Sequence, residues 1–302
     1  MPSFEPASPN RKRRLKRLRR LRSRQGRPRF RGHSFNRLIP NILTMIGLCA
    51  GLSAMRFGLD GHFGRSAVAL LFAACIDAVD GRIARLLRAT SVFGAEFDSL
   101  SDFLCFGVAP SFILYLWSLH DGGRYGFLPC ILFTVCMALR LARFNSAIAG
   151  PSEQPIYAYN FFTGVPAPAG AGLALFPLFV GLEANKLQWT GLFTAVNHPA
   201  FVGVMLIGVA FLLVSTLPVW SFKNFKVPAE FVLPMLLGVS GFAAVLVADP
   251  WAALAGVGMI YLVMLPFSRR SFRRLKADAE ALQEDVPDEP AQEPGVAQPR
   301  VA

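Results

Sequence analysis

Four aspartates within one short stretch of mostly apolar sequence are the residues best suited to chemistry. Asp77 and Asp80 are spaced i, i+3, and Asp98 and Asp102 are spaced i, i+4, so each pair lies on one face of a predicted helix. A carboxylate inside a membrane helix costs roughly 2.5–3.5 kcal/mol on insertion scales, and four on neighbouring helices repel one another. We therefore expect positive charge between them.

Divalent cations suit this acidic group better than arginine does. Ligand sets made of oxygen atoms, without His or Cys, favour Mg²⁺ or Mn²⁺. The five cysteines lie within apolar segments and form no CxxC pair, and the four histidines are scattered and mostly in loops. Two such ions about 3.5–4 Å apart assist displacement at phosphorus. The sequence therefore predicts a two-metal site in which Asp77, Asp80, Asp98 and Asp102 are the ligands.

Small residues accompany the aspartates on the same helix faces. Gly81 and Ala84 follow Asp80 at helical spacing, and Gly94 precedes Asp98 by about one turn. Small side chains either leave room for a ligand or let two helices approach closely. Their position on the acidic face favours a ligand slot, and simple helix packing remains the alternative.

The elements that must position these residues are membrane helices. The chain has 302 residues, of which 53% are hydrophobic and only 17% charged, against about 25% charged in a soluble domain. Apolar runs of about 20 residues match the thickness of a bilayer core. We predict an all-α polytopic membrane bundle of about eight transmembrane helices. The predicted helices are roughly 38–57, 65–87, 93–118, 125–147, 165–183, 199–218, 229–248 and 250–268.

Charge divides the chain into three parts. Residues 1–33 form a predicted disordered basic arm, 34–268 the membrane domain, and 269–302 a tail that is basic and then acidic and Pro-rich. Lys and Arg concentrate in loops on one side of the predicted bundle, so the positive-inside rule places both termini and the aspartates at the cytoplasmic face of the inner membrane. The arm either attracts anionic lipid headgroups or is a solvated tail that enforces topology. We expect no nucleic-acid partner, because the arm lacks interleaved aromatics.

The acidic segment resembles the signature of the CDP-alcohol phosphatidyltransferase family, D-x2-D-G-x2-A-R-x8-G-x3-D-x3-D. Its eight positions are filled by Asp77, Asp80, Gly81, Ala84, Arg85, Gly94, Asp98 and Asp102. The resemblance implies that Asp77 and Asp80 bind both metals, that Asp98 completes the second site, and that Asp102 is the general base and a further metal contact. It also implies a six-helix catalytic core, a homodimer, and CDP-diacylglycerol as the lipid substrate.

The resemblance also assigns the nucleotide site. Gly81 and Ala84 leave space for the cytidine nucleotide, and Arg85 and Ser91 hold nucleotide or phosphate. The segment that runs from Pro40 to Thr44 is similar to the family's other nucleotide contact, which it makes through Asn41 and Thr44. Helix capping and packing remain the alternative for that short motif.

Two later segments point to serine as the acceptor. The sequences of 140–145 and 162–170 resemble the bacterial membrane-type phosphatidylserine synthases within this family. A serine carboxylate needs a cationic partner, and a guanidinium binds it through two nitrogen atoms. Arg140 and Arg143 are therefore predicted to bind serine or phosphate, with topology anchoring or headgroup contact as the alternative. Asn145 and Thr163 are further polar candidates.

Other functions remain open at this stage. Within the family the acceptor could be glycerol 3-phosphate, inositol phosphate or choline. A transporter coupled to metal ions or protons is a different class, because intramembrane carboxylates also mark ion paths. The predicted helices after residue 165 carry no matching acidic cluster, which favours the phosphatidyltransferase that releases phosphatidylserine and CMP.

Overall fold

The structure is a computed structural model, and it describes the membrane domain with several gaps. The predicted arm at 1–33 and tail at 269–302 lie outside the described residues, so both remain predictions. The described residues are 38–87, 89, 91–149, 161–215, 218–220 and 229–264.

The described residues are almost entirely helical, which confirms the predicted all-α fold. Two three-residue strands, β1 (Phe161–Thr163) and β2 (Pro218–Trp220), form an antiparallel pair in which Phe161 lies opposite Trp220. The helices are α1 Leu38–Leu59, α2 Phe63–Leu86, α3 Val92–Asp102, α4 Ala109–Trp117, α5 Leu128–Ala149, α6 Ala167–Ala174, α7 Phe176–Lys186, α8 Thr190–Val196, α9 Pro199–Val214, α10 Ala229–Ala248 and α11 Pro250–Met264. A π-helical turn, Phe103–Val108, joins α3 to α4, and a 3-10 helix, Leu119–Tyr125, follows α4.

Helical segments occur at all eight predicted positions, but the number of eight membrane spans stays a prediction. Four helices of the described chain are long and apolar enough to cross a membrane, and the count rises to six if each of two bent pairs is one span. The bent pairs are α6 with α7, at 41°, and α8 with α9, at 51°. The two predicted spans that are missing from this count are α2, which carries several charged residues, and α11, which is short.

Small residues bring α1 close to the helices that carry the aspartates. Gly47, Gly51 and Ala54 on α1 are buried. A Cβ on Gly51 would lie 2.6 Å from Sγ of Cys105, so that position accepts no larger residue without a shift. Ser66 Oγ donates to the carbonyl of Ala54 at 2.6 Å and joins α2 to α1. The first two helices are thus held against the span that contains α3 and α4.

The core of the bundle is apolar, and so is much of its outer surface. Phe133, Ile113 and Leu206, from three different helices, are each fully buried in one continuous cluster. By contrast, the apolar stretch Phe231–Ala248 of α10 has no buried residue within the protein. Such outward-facing apolar surface suits a hydrocarbon surrounding.

Candidate active site

Three aspartates converge between α2 and α3. One carboxylate oxygen from each of Asp77, Asp98 and Asp102 lies within 4.8 Å of the other two, and all three side chains are half-buried. Asp77 and Asp102 are also close enough to share a hydrogen bond. The predicted convergence of the two acidic helices is therefore present in the fold for these three residues.

The start of α3 is held by the side chain of Ser91. Its Oγ accepts a hydrogen bond from the backbone N–H of Gly94 at 3.0 Å, which satisfies one of the unpaired donors of the first turn. This cap supports the predicted start of the helix. Asp98 and Asp102 follow on the same helix, two and three turns beyond the cap.

Asp80 occupies a more enclosed position than the other three aspartates. It is 2% exposed, and its Oδ2 accepts a 2.8 Å hydrogen bond from Thr44 Oγ1 on α1. Its Oδ1 is buried and has no hydrogen-bond partner among the described residues. Asp80 nevertheless lies within electrostatic range of both Asp77 and Asp98, so the four carboxylates form one acidic centre.

A cavity of about 180 Å³ opens beside Asp80 and Asp98. It is walled by α1, the end of α2 and the start of α3. Its lining consists of Pro40, Asn41, Thr44, Asp80, Gly81, Ala84, Ala89, Ser91, Gly94, Ala95 and Asp98. Five of the six residues predicted to bind the CDP-lipid therefore surround one space, next to the carboxylates.

Two glycines give this cavity its shape. A Cβ on Gly81 would meet nothing within 4 Å, whereas one on Gly94 would lie 3.0 Å from Asn41 Oδ1. The sixth predicted residue, Arg85, is exposed and does not line the cavity; its Nε donates to the carbonyl of Gly81 at 3.1 Å.

The residues predicted to bind serine or phosphate do not form one cluster in the described structure. Arg140 Nε donates to the carbonyl of Val165, and the guanidinium is within electrostatic range of Asp102. Arg143 Nη1 donates to the carbonyl of Val214 at 3.1 Å, at the end of α9. Arg140 thus lies within electrostatic range of the acidic centre, while Arg143 binds backbone carbonyls.

Asn145 lies next to the helix that carries Asp98 and Asp102. Its Nδ2 donates to Ser99 Oγ at 2.9 Å, one residue beyond Asp98. Thr163 ends strand β1, and its side chain is not among those the structure describes. The role predicted for these two residues remains a prediction.

The residues of the acidic centre and of the adjoining cavity lie in a part of the sequence that matches a known family. The family model described as CDP-alcohol phosphatidyltransferase matches residues 37–214, and a second, described as CDP-alcohol phosphatidyltransferase 2, matches residues 230–266. The chain belongs to the CDP-alcohol phosphatidyltransferase family. The first match covers every one of the predicted site residues.

Curated relatives extend the similarity over most of the chain. A protein from Mycobacterium bovis named CDP-diacylglycerol--serine O-phosphatidyltransferase is 38% identical over 84% of this chain and 86% of its own length. A Helicobacter pylori protein of the same name is 32% identical over 75% of this chain and 88% of its own. An archaetidylserine synthase from Methanothermobacter thermautotrophicus is 32% identical over 44% of this chain and 54% of its own. The chain is thus an enzyme of this phosphatidyltransferase family.

The acidic centre of this phosphatidyltransferase suits a divalent metal ion. All the donors are carboxylate oxygens, which are the ligands of hard cations, and three of them already lie within 4.8 Å of one another. The buried Oδ1 of Asp80 also lacks a described partner. A cation would satisfy that oxygen and offset the repulsion between neighbouring carboxylates.

Two residues near the site escaped the sequence analysis. Gly164 has a φ of +83°, and a Cβ there would lie 2.8 Å from the carbonyl oxygen of Ser215. Tyr261 on α11 has a buried hydroxyl with no described hydrogen-bond partner. The signals for them were slight: a glycine directly before Val-Pro, and one tyrosine within an apolar helix.

Proposed function

We propose that this enzyme transfers the phosphatidyl group of CDP-diacylglycerol to L-serine, forming phosphatidylserine and CMP. The observation that carries the proposal is the group of Asp77, Asp98 and Asp102 oxygens within 4.8 Å of one another, adjoining a cavity lined by the predicted nucleotide-binding residues. The names of the relatives from Mycobacterium bovis and Helicobacter pylori support serine as the acceptor.

The nucleotide of the CDP-lipid would occupy the cavity between α1, α2 and α3. Gly81 and Ala84 offer little side-chain bulk there, and Asn41, Thr44 and Ser91 supply polar atoms at its wall. Arg85, on the exposed face of α2, would reach the phosphate from outside. The acyl chains would stay in lipid, because the outward surface of the bundle is apolar.

The four aspartates are the proposed metal ligands. Asp77, Asp80, Asp98 and Asp102 would hold two Mg²⁺ or Mn²⁺ ions, which supply charge neutralisation for the pyrophosphate and for the leaving CMP. Thr44 contributes by orienting the carboxylate of Asp80. Partners of metal ligands commonly fix ligand orientation in this way.

Asp102 is the proposed general base. The hydroxyl of serine would pass its proton to this carboxylate while its oxygen attacks the β-phosphorus, and the bond from that phosphorus to the oxygen of CMP would break. Arg140, within electrostatic range of Asp102, would hold the carboxylate of serine beside the base. Arg143, Asn145 and Thr163 would complete the polar surroundings of the acceptor or its phosphate.

The proposed location is the cytoplasmic leaflet of the bacterial inner membrane, with both termini in the cytoplasm. The loops rich in Lys and Arg support this orientation. Within the same proposal, the basic arm attracts anionic headgroups and two copies form a homodimer.

An acceptor panel tests the proposed reaction. Purified enzyme in nanodiscs would receive labelled CDP-diacylglycerol with L-serine, glycerol 3-phosphate, inositol phosphate or choline, and both CMP and lipid product would be measured. We expect phosphatidylserine and equimolar CMP with L-serine, and loss of both after chelation until Mg²⁺ or Mn²⁺ is restored. Product from another acceptor and none from serine would overturn the serine assignment. Activity that survives chelation would overturn the metal assignment.

A further inference from the structure

The last helix of the described chain brings one polar group into the protein interior. Tyr261 lies on α11, beyond the first family match, which ends at residue 214, and within the second, which covers residues 230–266. Its hydroxyl oxygen is buried and has no hydrogen-bond partner among the described residues. Buried polar groups are nearly always paired, so an unpaired hydroxyl at this depth points to a partner that arrives with a ligand.

Tyr261 lines an apolar cavity that reaches the span carrying Asp98 and Asp102. The cavity has a volume of about 210 Å³, and its walls include Cys105 and Phe106 of the π-helical turn that follows Asp102. Among the described residues that line it, Tyr261 alone carries a hydroxyl group. Tyr261 thus brings a hydroxyl group, itself buried against protein, to an otherwise apolar wall behind the active site.

Arg140 links this hydroxyl to the acidic centre. Its guanidinium is within electrostatic range of both Tyr261 and Asp102. The hydrogen bond from Arg140 Nε to the carbonyl of Val165 holds the side chain in place. That bond uses Nε, and among the described residues the two terminal nitrogens make no hydrogen bond, so they offer the donor pair that a carboxylate binds.

We propose that Tyr261 recognises the acceptor, with its hydroxyl donating a hydrogen bond to the carboxylate that Arg140 holds. The inference rests on the proposed function and names a residue of the acceptor site that comes from outside the helices of the first family match. A carboxylate accepts several hydrogen bonds, and a guanidinium and a phenol together present donors from two directions. The ligand class is a small amino acid whose hydroxyl lies at Asp102.

The hydroxyl also provides selectivity between acceptors. An alcohol without a carboxylate would leave this buried donor unpaired, and the unpaired donor would weaken binding of that alcohol. Sites built around such donors reject analogues that lack the matching group. Choline has no carboxylate, so it would leave both Tyr261 and Arg140 without an acceptor atom. Tyr261 would therefore favour serine over such alcohols.

The test is the Tyr261→Phe variant of the full-length enzyme in nanodiscs. The change removes one oxygen atom and keeps the ring that lines the cavity. We expect the KM for L-serine to rise about 10-fold, as for the loss of a hydrogen bond to a charged group, with kcat and the KM for CDP-diacylglycerol within about twofold of wild type. A purely structural role would not raise one KM alone.

Tyr115→Phe is the matched control, since Tyr115 is also a half-buried tyrosine of a membrane helix and makes an edge contact with Phe127. It should change neither KM. A serine KM within twofold of wild type in Tyr261→Phe, or an equal rise in both KM values, would overturn the inference. If Tyr261→Phe fails to fold, Tyr261→Met keeps a flexible apolar side chain without a hydroxyl and is judged by the same two constants. Wild-type enzyme that makes no phosphatidylserine would instead overturn the proposed function itself.

Discussion

Thr44 Oγ1 donates a 2.8 Å hydrogen bond to Oδ2 of Asp80 and so ties the first helix to the acidic centre. The Thr44 hydroxyl is also 3.1 Å from the carbonyl of Pro40, but its single proton serves the carboxylate, which is nearer and charged. Since Asp80 is 2% exposed, water cannot readily replace this bond. Thr44 therefore sets the direction in which the other oxygen of Asp80 points.

Thr44→Val should weaken metal-dependent activity. Valine keeps the shape of threonine and removes the hydroxyl, so Asp80 loses the partner that orients it. We expect about a 10–100-fold loss in metal affinity or activity, as for other partners of metal ligands, measured by titrating Mn²⁺ against CMP release. Thr44→Ser keeps the hydroxyl and should stay near wild type. Equal Mn²⁺ dependence in the valine variant and wild type would contradict this role.

Asp102→Asn should abolish turnover and leave binding of the CDP-lipid largely intact. A positioned general base contributes roughly 10²–10⁴-fold in rate, and asparagine cannot accept the proton. The measurements are CMP release and CDP-diacylglycerol binding on the same preparation. Glu96→Gln makes the same chemical change at an exposed position of α3 and should be silent. Near-normal turnover in Asp102→Asn would remove Asp102 from the base role.

Gly81→Ala should impair the use of CDP-diacylglycerol without harming the fold. The added methyl meets no protein atom within 4 Å but enters the cavity beside Asp80. One methyl group in a fitted pocket changes binding by about 1–3 kcal/mol, so we expect the KM for the CDP-lipid to rise about 10-fold or more. The thermal unfolding midpoint in detergent should be unchanged or slightly higher, because alanine has a higher helix propensity than glycine.

Gly241→Ala is the control for that variant. A methyl group added to Gly241 would also meet no protein atom within 4 Å, but this glycine lies on α10, away from the cavity. The control should show the same gain in thermal stability, if any, and the KM for CDP-diacylglycerol should not change. An unchanged KM in Gly81→Ala would show that the cavity does not hold the nucleotide.

Gly164→Ala should destabilise the protein and disturb its neighbours at the end of α9. A left-handed conformation costs an L residue about 1–2 kcal/mol, and the new Cβ would approach the carbonyl oxygens of Ser215 and Leu213 to 2.8 and 3.0 Å. Gly61 has a similar φ of +74° with open space around it. Gly61→Ala should therefore lower the thermal midpoint less than Gly164→Ala. Equal shifts of the thermal midpoint in the two variants would contradict the prediction that crowding around Gly164 adds to the destabilisation.

Arg143→Ala should raise the KM for serine more than that for CDP-diacylglycerol if Arg143 contacts the acceptor. Its hydrogen bond to the carbonyl of Val214 means that some stability is lost as well, so the thermal midpoint must be measured alongside. Arg82→Ala, at an exposed position of α2, is the matched control. An effect confined to the lipid substrate would assign Arg143 to phosphate.

Local spacing made the acidic centre predictable. Helical period alone places Asp77 with Asp80, and Asp98 with Asp102, on common faces. Runs of apolar residues located a helical segment at each of the eight predicted positions, because a bilayer imposes length and composition on its spans; the short α8, Thr190–Val196, falls between the predicted fifth and sixth helices. The bends between α6 and α7 and between α8 and α9 were not predictable, since they depend on how those helices pack.

The family, the helical class and the identity of the acidic residues could all be read from the amino-acid order, because each follows from residue types at short separation. The packed fold was needed to show that Asp80 turns to Thr44 while Asp77, Asp98 and Asp102 group together. It was also needed to bring Tyr261 into range of Arg140. Both relationships join residues that are far apart in the chain. They depend on how closely the helices pack through their small residues, and no local sequence pattern encodes that packing.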